Sequence, residues 1–282
     1  MKNFVNLNGK ILKESEVSIS CNNKTFRYGN GFFETMKWMD GRILLEQFHF
    51  ERMFETINAL SYNLSKKINS IFFVNAINEL ISKNEIQLLA RIRITFFENE
   101  GGIFVGAEEP INFLIQTWPL NKINNEINEN GLELGIFNKG YKSIDLYSKY
   151  KLNSSYPYSL AANWAKLNKL NDAVILNSNN NISDTCIANI FCLCNGIIKT
   201  PSLEEGCVDG VMRRFVIQQF EKFSIPYLIT VITKNDLLEA QEIFLTNSIR
   251  GIKWVKRIDN IQFKNKETIL VEKLIMKSLF HH

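Results

Sequence analysis

The sequence predicts a mixed α/β (α+β) protein with two domains, a smaller one at the N-terminus and a larger one at the C-terminus. The chain has 282 residues, enough for two separate hydrophobic cores. Apolar residues alternate in some stretches and recur at helical spacing in others, and both halves contain both patterns. The polar, asparagine-rich stretch 119–130 is expected to be the linker, which places the domains at 1–118 and 131–282.

The N-terminal domain is expected to begin with a β-hairpin and to hold two helices. Asn8-Gly9 favours a tight turn between two short strands within 4–12. Phe50, Met53 and Ile57 recur at helical spacing and predict the first helix. The further predictions are strands at 31–39, 42–45, 88–97 and 111–118, and helices at about 47–60 and 68–83.

The C-terminal domain is expected to be richer in strands. Asn195-Gly196 predicts another hairpin turn, and Asp209-Gly210 precedes a helix with an apolar side. The predicted strands lie at 132–137, 172–176, 187–194, 197–200, 227–231 and 242–245, and the helices at 158–167, 211–223, 235–240 and from 267.

Composition excludes several classes of protein. The formal charge of +4 comes from interspersed acids and bases, which does not favour a nucleic-acid surface. No apolar run approaches the roughly 18 residues that span a bilayer, and the first residues have no signal-peptide core, so a cytoplasmic location is expected. Five cysteines without framework spacing argue against a disulfide scaffold, and three histidines argue against a metal site. His49 alone could serve a Ser-His-Asp triad, which we disfavour.

One stretch of the C-terminal half combines the groups that a pyridoxal phosphate site needs. Lys151 supplies an amine, and Asp184 supplies an acid after a polar turn. This cofactor requires a lysine that forms a Schiff base and an acid that holds its pyridine nitrogen protonated.

Five blocks in order carry a family resemblance. They are Phe26 to Thr35, His49-Phe50-Glu51-Arg52, the segment from Lys151 to Phe191, Gly210-Val211-Met212-Arg213, and Phe244 to Ser248. Together they resemble the class IV aminotransferases, the pyridoxal-phosphate enzymes of fold type IV. That family includes branched-chain and D-amino-acid aminotransferases and aminodeoxychorismate lyase. The resemblance implies a two-domain fold type IV enzyme that forms a homodimer.

The resemblance implies roles for the reactive residues. Lys151 would be the Schiff-base lysine, with Lys149 as the alternative two residues away. Asp184 would hold the pyridine nitrogen, at a position where the family normally has the longer Glu. Tyr156 would donate a hydrogen bond to the ring hydroxyl, although a buried structural tyrosine is the competing interpretation.

The resemblance also implies contacts to the cofactor phosphate. Arg52 would bind it with a forked, permanently charged guanidinium. The backbone amides of Val211 and Met212 would add the field of a helix N-terminus. Asn247 and Ser248 would add polar contacts.

Three residues are candidates for the substrate side. Tyr28 lies in the first block, beside Asn30, where the family usually has Asp. Arg93 and Arg250 are candidate partners for the substrate carboxylate, although alternating strand arginines commonly face solvent. Small-molecule amino acids and keto acids are the expected partners.

Two enzymatic functions and one non-enzymatic function remain open at this point. The leading hypothesis is amino-group transfer between an amino acid and a 2-keto acid, of branched-chain type, which Tyr156 favours. The alternative is aminodeoxychorismate lyase, which the run Phe33-Glu34-Thr35 and Lys37 favour, because branched-chain members have arginine at the position of Lys37. A non-catalytic binding protein is the third hypothesis, and Asp in place of Glu at position 184 favours it.

Overall fold

The computed structural model describes residues 3–101, 110–121 and 127–280, and it divides into two compact units. The N-terminal unit comprises Met1–Lys122 together with Tyr150–Ser154, and the C-terminal unit comprises Ile123–Lys149 and Ser155–His282. The mixed α/β class and the larger C-terminal part with a mixed sheet are confirmed. The linker at 119–130 stays a prediction, and its residues 122–126 lie outside the described part of the chain.

The N-terminal unit contains a six-stranded antiparallel sheet in the order β2-β1-β6-β5-β3-β4. Asn8 and Gly9 both have positive φ, as the predicted hairpin turn requires. The strands are β1 (Phe4–Leu7), β2 (Lys10–Lys13), β3 (Phe32–Met39), β4 (Arg42–Ile43), β5 (Leu89–Phe97) and β6 (Asn112–Pro119). The helices are α1 (Lys24–Tyr28), α2 (Glu46–Ala59) and α3 (Ser70–Lys83).

Strand alternation divides this sheet into two faces. Phe32, Met36 and Ile94 belong to a buried core that also contains residues of α2 and α3. Residues at the intervening positions point away from this core, because successive side chains of a strand point to opposite faces. We call the face away from the core the second face; on β3 and β5 it carries Phe33, Thr35, Lys37, Arg91, Arg93 and Thr95.

The C-terminal unit contains a nine-stranded sheet with parallel and antiparallel pairs. Its path is β12-β11-β10-β13-β14-β7-β8-β9, and β15 pairs with β14. The strands are β7 (Leu132–Lys142), β8 (Asp172–Asn177), β9 (Ile182–Thr185), β10 (Asn189–Cys194), β11 (Ile197–Pro201), β12 (Tyr227–Thr230), β13 (Glu242–Asn247), β14 (Gly251–Ile258) and β15 (Ile261–Gln262). The helices are α4 (Tyr156–Leu167), α5 (Val211–Lys222), α6 (Lys234–Leu238) and α7 (Lys266–Phe280).

The structure extends one of the expected strands and adds strands that the sequence did not predict. Strand β7 continues to Lys142 instead of ending at residue 137. Strands β9 and β14 were not predicted, because three of the four residues of β9 are polar and β14 contains three basic residues. Both are held by pairing with neighbouring strands, and β14 lies between β13 and β7. Sheet context therefore overrides the local pattern at these positions.

Within the described residues, no helix has both the length and the apolar character needed to cross a bilayer.

Candidate active site

Lys151 lies in the segment Tyr150–Ser154, which packs in the N-terminal unit. Its carbonyl accepts a hydrogen bond of 3.0 Å from the Phe33 N–H, and Leu152 forms a β-bridge with Phe32. These bonds anchor the segment to the start of β3. The Lys151 Nζ lies 4.5 Å from the centre of the Phe33 ring. The candidate reactive amine is therefore beside an aromatic residue of the second face.

Arg93 also lies over the Phe33 ring. Its guanidinium carbon lies 3.7 Å from the Phe33 ring centre, and its Nε donates a hydrogen bond of 3.0 Å to Thr95 Oγ1. Burial lowers the pKa of Arg93, and the neighbouring charge of Arg91 lowers it further. An amine and a guanidinium thus lie around one ring, an arrangement that suits a substrate carrying a carboxylate.

Lys149, the alternative lysine, lies in the C-terminal unit. Its carbonyl accepts a hydrogen bond of 2.9 Å from the Asp209 N–H. The two candidate lysines therefore belong to different units, and Lys151 is the one beside Arg93.

Asp184 lies on β9 with 2% of its surface exposed. Its Oδ1 accepts a hydrogen bond of 2.9 Å from Asn189 Nδ2. Its Oδ2 accepts bonds of 2.8 Å from the Tyr158 hydroxyl and from the Val208 N–H. Lys142 Nζ lies 3.5 Å from the same Oδ2. These donors orient the carboxylate within the C-terminal unit.

The charge of Asp184 is set by two opposing effects. Burial raises the pKa of Asp184, whereas the Lys142 charge and the hydrogen bonds from Val208 and Tyr158 lower it. Burial also lowers the pKa of Lys142, which the charge of Asp184 opposes. The Lys142 Nζ donates a further bond of 2.8 Å to the Ser148 carbonyl. The two buried groups therefore stabilise each other's charged forms.

The sequence did not identify Lys142 or Tyr158 as site residues. Lys142 lies beyond the predicted end of its strand, so no pattern placed it near an acid. Tyr158 could have been identified from the sequence, because the Tyr156-Pro157-Tyr158 run contains two tyrosines. Tyr156, the residue that the resemblance indicated, is the first residue of α4 and is 73% exposed. Its role at the ring hydroxyl stays a prediction.

Arg52 belongs to a buried cluster with Glu34 and His49. Its Nε and Nη2 donate bonds of 2.7 and 2.8 Å to the two oxygens of Glu34. His49 Nδ1 lies 3.0 Å from Glu34 Oε2, and the His49 Nε2 is buried without a partner in the described structure. Burial lowers the pKa of His49, and the charges of Arg52 and Lys151 act in the same direction, whereas Glu34 opposes them.

The glutamate accepts from two of the five N–H donors of Arg52, and a role of Arg52 at the phosphate stays a prediction. In the sequence, Glu34 is indicated only as part of the first block, Phe26 to Thr35. Its link to the His-x-x-Arg run appears only when β3 and α2 pack together.

Val211 and Met212 are the first two residues of α5, as predicted. No side chain caps this helix start, because the N-cap residue is Gly210. A Cβ on Gly210 would lie 1.8 Å from Asn189 Oδ1. Asn189 in turn donates to Asp184 and, at 2.7 Å, to the Val208 carbonyl. The Asn189 side chain therefore lies against the start of α5 and also hydrogen-bonds to Asp184.

The remaining predicted residues lie in separate places. Asn247 ends β13, where its Oδ1 accepts hydrogen bonds from the Ile249 and Arg250 N–H groups at 2.8 and 3.2 Å. Ser248 follows in that turn, and the Arg250 side chain is exposed. Tyr28 ends α1 with the Arg27 guanidinium 5.1 Å from its ring centre. Their roles toward cofactor and substrate stay predictions.

The C-terminal unit offers groups that fit pyridoxal phosphate. Thr246 pairs with Asn189 across β13 and β10, and its Oγ1 is buried without a partner in the described residues. Together with the uncapped start of α5, this hydroxyl is a donor suited to a phosphate. Asp184 is an acceptor suited to a pyridinium N–H. In the described part of the chain, no group of three or more His, Cys, Asp or Glu side chains could hold a metal ion.

Comparison with known families shows to which family the chain belongs. The family described as amino-transferase class IV matches residues 31–258, which is most of the chain.

The chain belongs to the class IV aminotransferase family.

Its relatives include both activities considered above. It is 24% identical to the aminodeoxychorismate lyase of Bacillus subtilis over 92% of this chain and 88% of that protein. It is 21% identical to the branched-chain-amino-acid aminotransferase of Escherichia coli over 98% of this chain and 92% of that protein.

Solved structures of class IV enzymes have the same fold. A crystal structure of the Escherichia coli branched-chain amino acid aminotransferase superimposes with a TM-score of 0.89 at 18% identity, over 100% of this chain and 95% of that chain. Another solved branched-chain aminotransferase, with a TM-score of 0.88 at 16% identity, contains pyridoxamine 5'-phosphate and matches 99% of this chain and 94% of that chain.

Proposed function

We propose that this class IV enzyme uses pyridoxal 5'-phosphate to transfer an amino group between an amino acid and a 2-keto acid. The observation that supports it most directly is the amine of Lys151 and the guanidinium of Arg93 around the Phe33 ring. Amino-group transfer needs an amine that attaches the cofactor and a cation that binds the substrate carboxylate.

Each residue set has a defined task in this proposal. The bound cofactor supplies an electron sink for the negative charge that develops when the substrate Cα loses its proton. Lys151 Nζ would accept that proton from the substrate and deliver it to the cofactor. Asp184 would accept a hydrogen bond from the pyridine nitrogen of the cofactor. Lys142 and Tyr158 keep the Asp184 carboxylate oriented. The cofactor phosphate would be held by the start of α5 at Val211 and Met212, by Asn247 and Ser248, and by Arg52.

The substrate side is the less defined part of the proposal. Arg93 binds the substrate carboxylate, and Tyr28 and Arg250 are further candidates near the substrate. We also propose that the enzyme is a cytoplasmic homodimer, which light scattering coupled to size-exclusion chromatography tests through the molar mass.

Borohydride reduction followed by peptide mapping tests the cofactor attachment. Reduction fixes the cofactor covalently to its lysine, and we expect the label on Lys151. The Lys151→Ala variant should lose the visible absorption of the lysine-bound cofactor, whereas Lys149→Ala should keep it. A label on Lys149 would refute the assignment to Lys151, and a wild-type protein that binds no cofactor would refute the proposal and favour a non-catalytic binding protein.

Aminodeoxychorismate lyase is the second candidate function. Thr35 and Lys37, two of the residues that favour it, lie on the second face of the sheet, as does Phe33. They are therefore placed on the face that carries the candidate amine. Product analysis separates the two activities. Release of pyruvate with 4-aminobenzoate would establish the lyase, and formation of a keto acid from an amino acid would establish the transferase. An amino-donor panel with both enantiomers then gives the substrate and its stereochemistry.

A further inference from the structure

Two cysteines lie side by side at the end of β10, in the C-terminal unit. Cys192 and Cys194 are two positions apart on this strand, so their side chains point to the same face. Their Sγ atoms are 3.9 Å apart and share a hydrogen bond, and both cysteines are free thiols. We call Cys192 and Cys194 the thiol pair. The proposed amino-group transfer uses neither of them.

The two thiols differ in their access to solvent. Cys192 is fully buried in a core that also contains Ile190 and Ile243. Cys194 is half-buried and is the last residue of β10, directly before the Asn195-Gly196 turn. A small reagent in solution therefore reaches the sulfur of Cys194 first, whereas Cys192 lies behind it in the core.

The charged groups around the thiol pair act in opposite directions. Lys199 on β11 is directly opposite Cys192, so it points to the same face of the sheet. Its charge favours a thiolate at Cys194, whereas the charges of Asp236 and Glu239 oppose one. The Asp236 carbonyl, 3.8 Å from the Cys194 sulfur, accepts a hydrogen bond only from the protonated thiol. These neighbours largely offset one another, which leaves the partner thiol as the main influence on Cys194.

Burial decides which member of the thiol pair keeps its proton. The hydrogen bond with Cys194 raises the pKa of Cys192, and burial raises it further. The same hydrogen bond lowers the pKa of Cys194 to about 7, although partial burial opposes this change. Cys192 therefore remains a thiol and donates its proton to the sulfur of Cys194. The thiolate is the nucleophilic form of cysteine, so the more accessible sulfur is also the more reactive one.

We propose that Cys194 is a modification site that peroxides oxidise, and that Cys192 is the buried thiol that stabilises the Cys194 thiolate. The sulfur of Cys194 attacks one oxygen of hydrogen peroxide, and the O–O bond breaks. Cys194 is thereby oxidised to a sulfenic acid, and the hydroxide that leaves takes a proton from solvent and becomes water. A low-molecular-weight thiol then attacks the sulfenic sulfur, which releases water and leaves a mixed disulfide. A second thiol molecule reduces that disulfide and restores Cys194.

Strand geometry directs the sulfenic acid to an external thiol instead of Cys192. Two positions along an extended strand separate Cα atoms by about 6.4 to 6.8 Å. That separation is at the upper end of the range that a disulfide spans, about 6.8 Å. Strand β10 is also paired with β11 on one side and β13 on the other, which resists the bending that a bond between Cys192 and Cys194 requires.

Peptide mapping after peroxide treatment tests this assignment without requiring turnover. The full chain is treated with hydrogen peroxide at pH 7 in the presence of dimedone, which labels sulfenic acids, and the label is quantified on each cysteine peptide. Cys21 is an exposed thiol and serves as the internal reference. We expect Cys194 to be labelled at least tenfold faster than Cys21, although Cys194 is the less exposed of the two.

The Cys192→Ala variant separates the role of the buried thiol from exposure alone. It should slow the labelling of Cys194 at pH 7 tenfold or more and move the midpoint of its rate of alkylation by iodoacetamide to higher pH. The matched control is Cys207→Ala, which removes another buried thiol of the same unit and should change neither quantity.

Three results would overturn the proposal. They are equal labelling of Cys194 and Cys21 in wild type, an unchanged Cys194 rate in Cys192→Ala, and a disulfide between Cys192 and Cys194 as the main product. If circular dichroism shows that Cys192→Ala does not fold, the comparison of Cys194 with Cys21 in wild type still decides the outcome.

Discussion

Replacing Glu34 by glutamine should remove a large part of the stability of the N-terminal unit. Glu34 is buried on β3, where both of its oxygens accept hydrogen bonds from Arg52 and one also meets His49. Glutamine keeps the shape of the side chain and removes its charge. Arg52 would then remain buried without its ion-pair partner, which is the costly outcome for a buried pair.

The pKa of Glu34 sets the magnitude. Burial alone would raise it, but the Arg52 charge and the hydrogen bonds of His49 and Arg52 lower it from 4.5 to about 2. A depression of this size corresponds to about 3 kcal/mol of stability at neutral pH. Breaking a buried ion pair by removing one partner costs about 3–5 kcal/mol, which agrees with the value from the pKa of Glu34. Because the pKa is lowered in the folded state, this stability is fully present above pH 4.5 and is lost as pH falls toward 2.

Urea unfolding of wild type and Glu34→Gln at pH 7 and at pH 3 checks this prediction. We expect a difference of about 3 kcal/mol at pH 7 that shrinks at pH 3, since wild type has by then lost much of the contribution. The control is Glu16→Gln, which breaks an exposed pair with Lys13 and should leave the unfolding free energy unchanged. A pH-independent difference, or one below about 1 kcal/mol at pH 7, would refute the reasoning.

Three further outcomes can be measured. Lys142→Met leaves Asp184 buried without its cation and raises the pKa of the Asp184 carboxyl group further. Urea unfolding at pH 7 should show a loss of stability of about 3–5 kcal/mol, and this loss should shrink toward pH 4. Gly210→Ala forces a Cβ against Asn189 and should cost about 1–3 kcal/mol, seen as a lower Tm. The hydrogen bond between the thiols of Cys194 and Cys192, 3.9 Å apart, lowers the pKa of Cys194 to about 7, so the alkylation rate of Cys194 should rise with pH around that value.

Much of the fold was predictable because local patterns carried it. The hairpin at Asn8-Gly9, helices α2 and α3, and the start of α5 follow from turn chemistry and apolar spacing. The strand β14 was missed because its basic residues conceal an interior position, and β9 because a buried polar strand has no alternating pattern. Both strands form hydrogen bonds with neighbouring strands, and a local stretch of sequence does not reveal this pairing.

The sequence by itself determined the family and the mixed α/β class, and it predicted a short set of reactive residues, because the ordered blocks around Lys151, Asp184 and Gly210 can be recognised without knowledge of contacts. Tertiary structure alone decided what surrounds them. Lys142 reaches Asp184 from 42 residues earlier in the chain, and Glu34 meets Arg52 from 18 residues earlier. Charge pairs of this kind depend on side chains brought together from different elements, so their partners and protonation are properties of the packed protein.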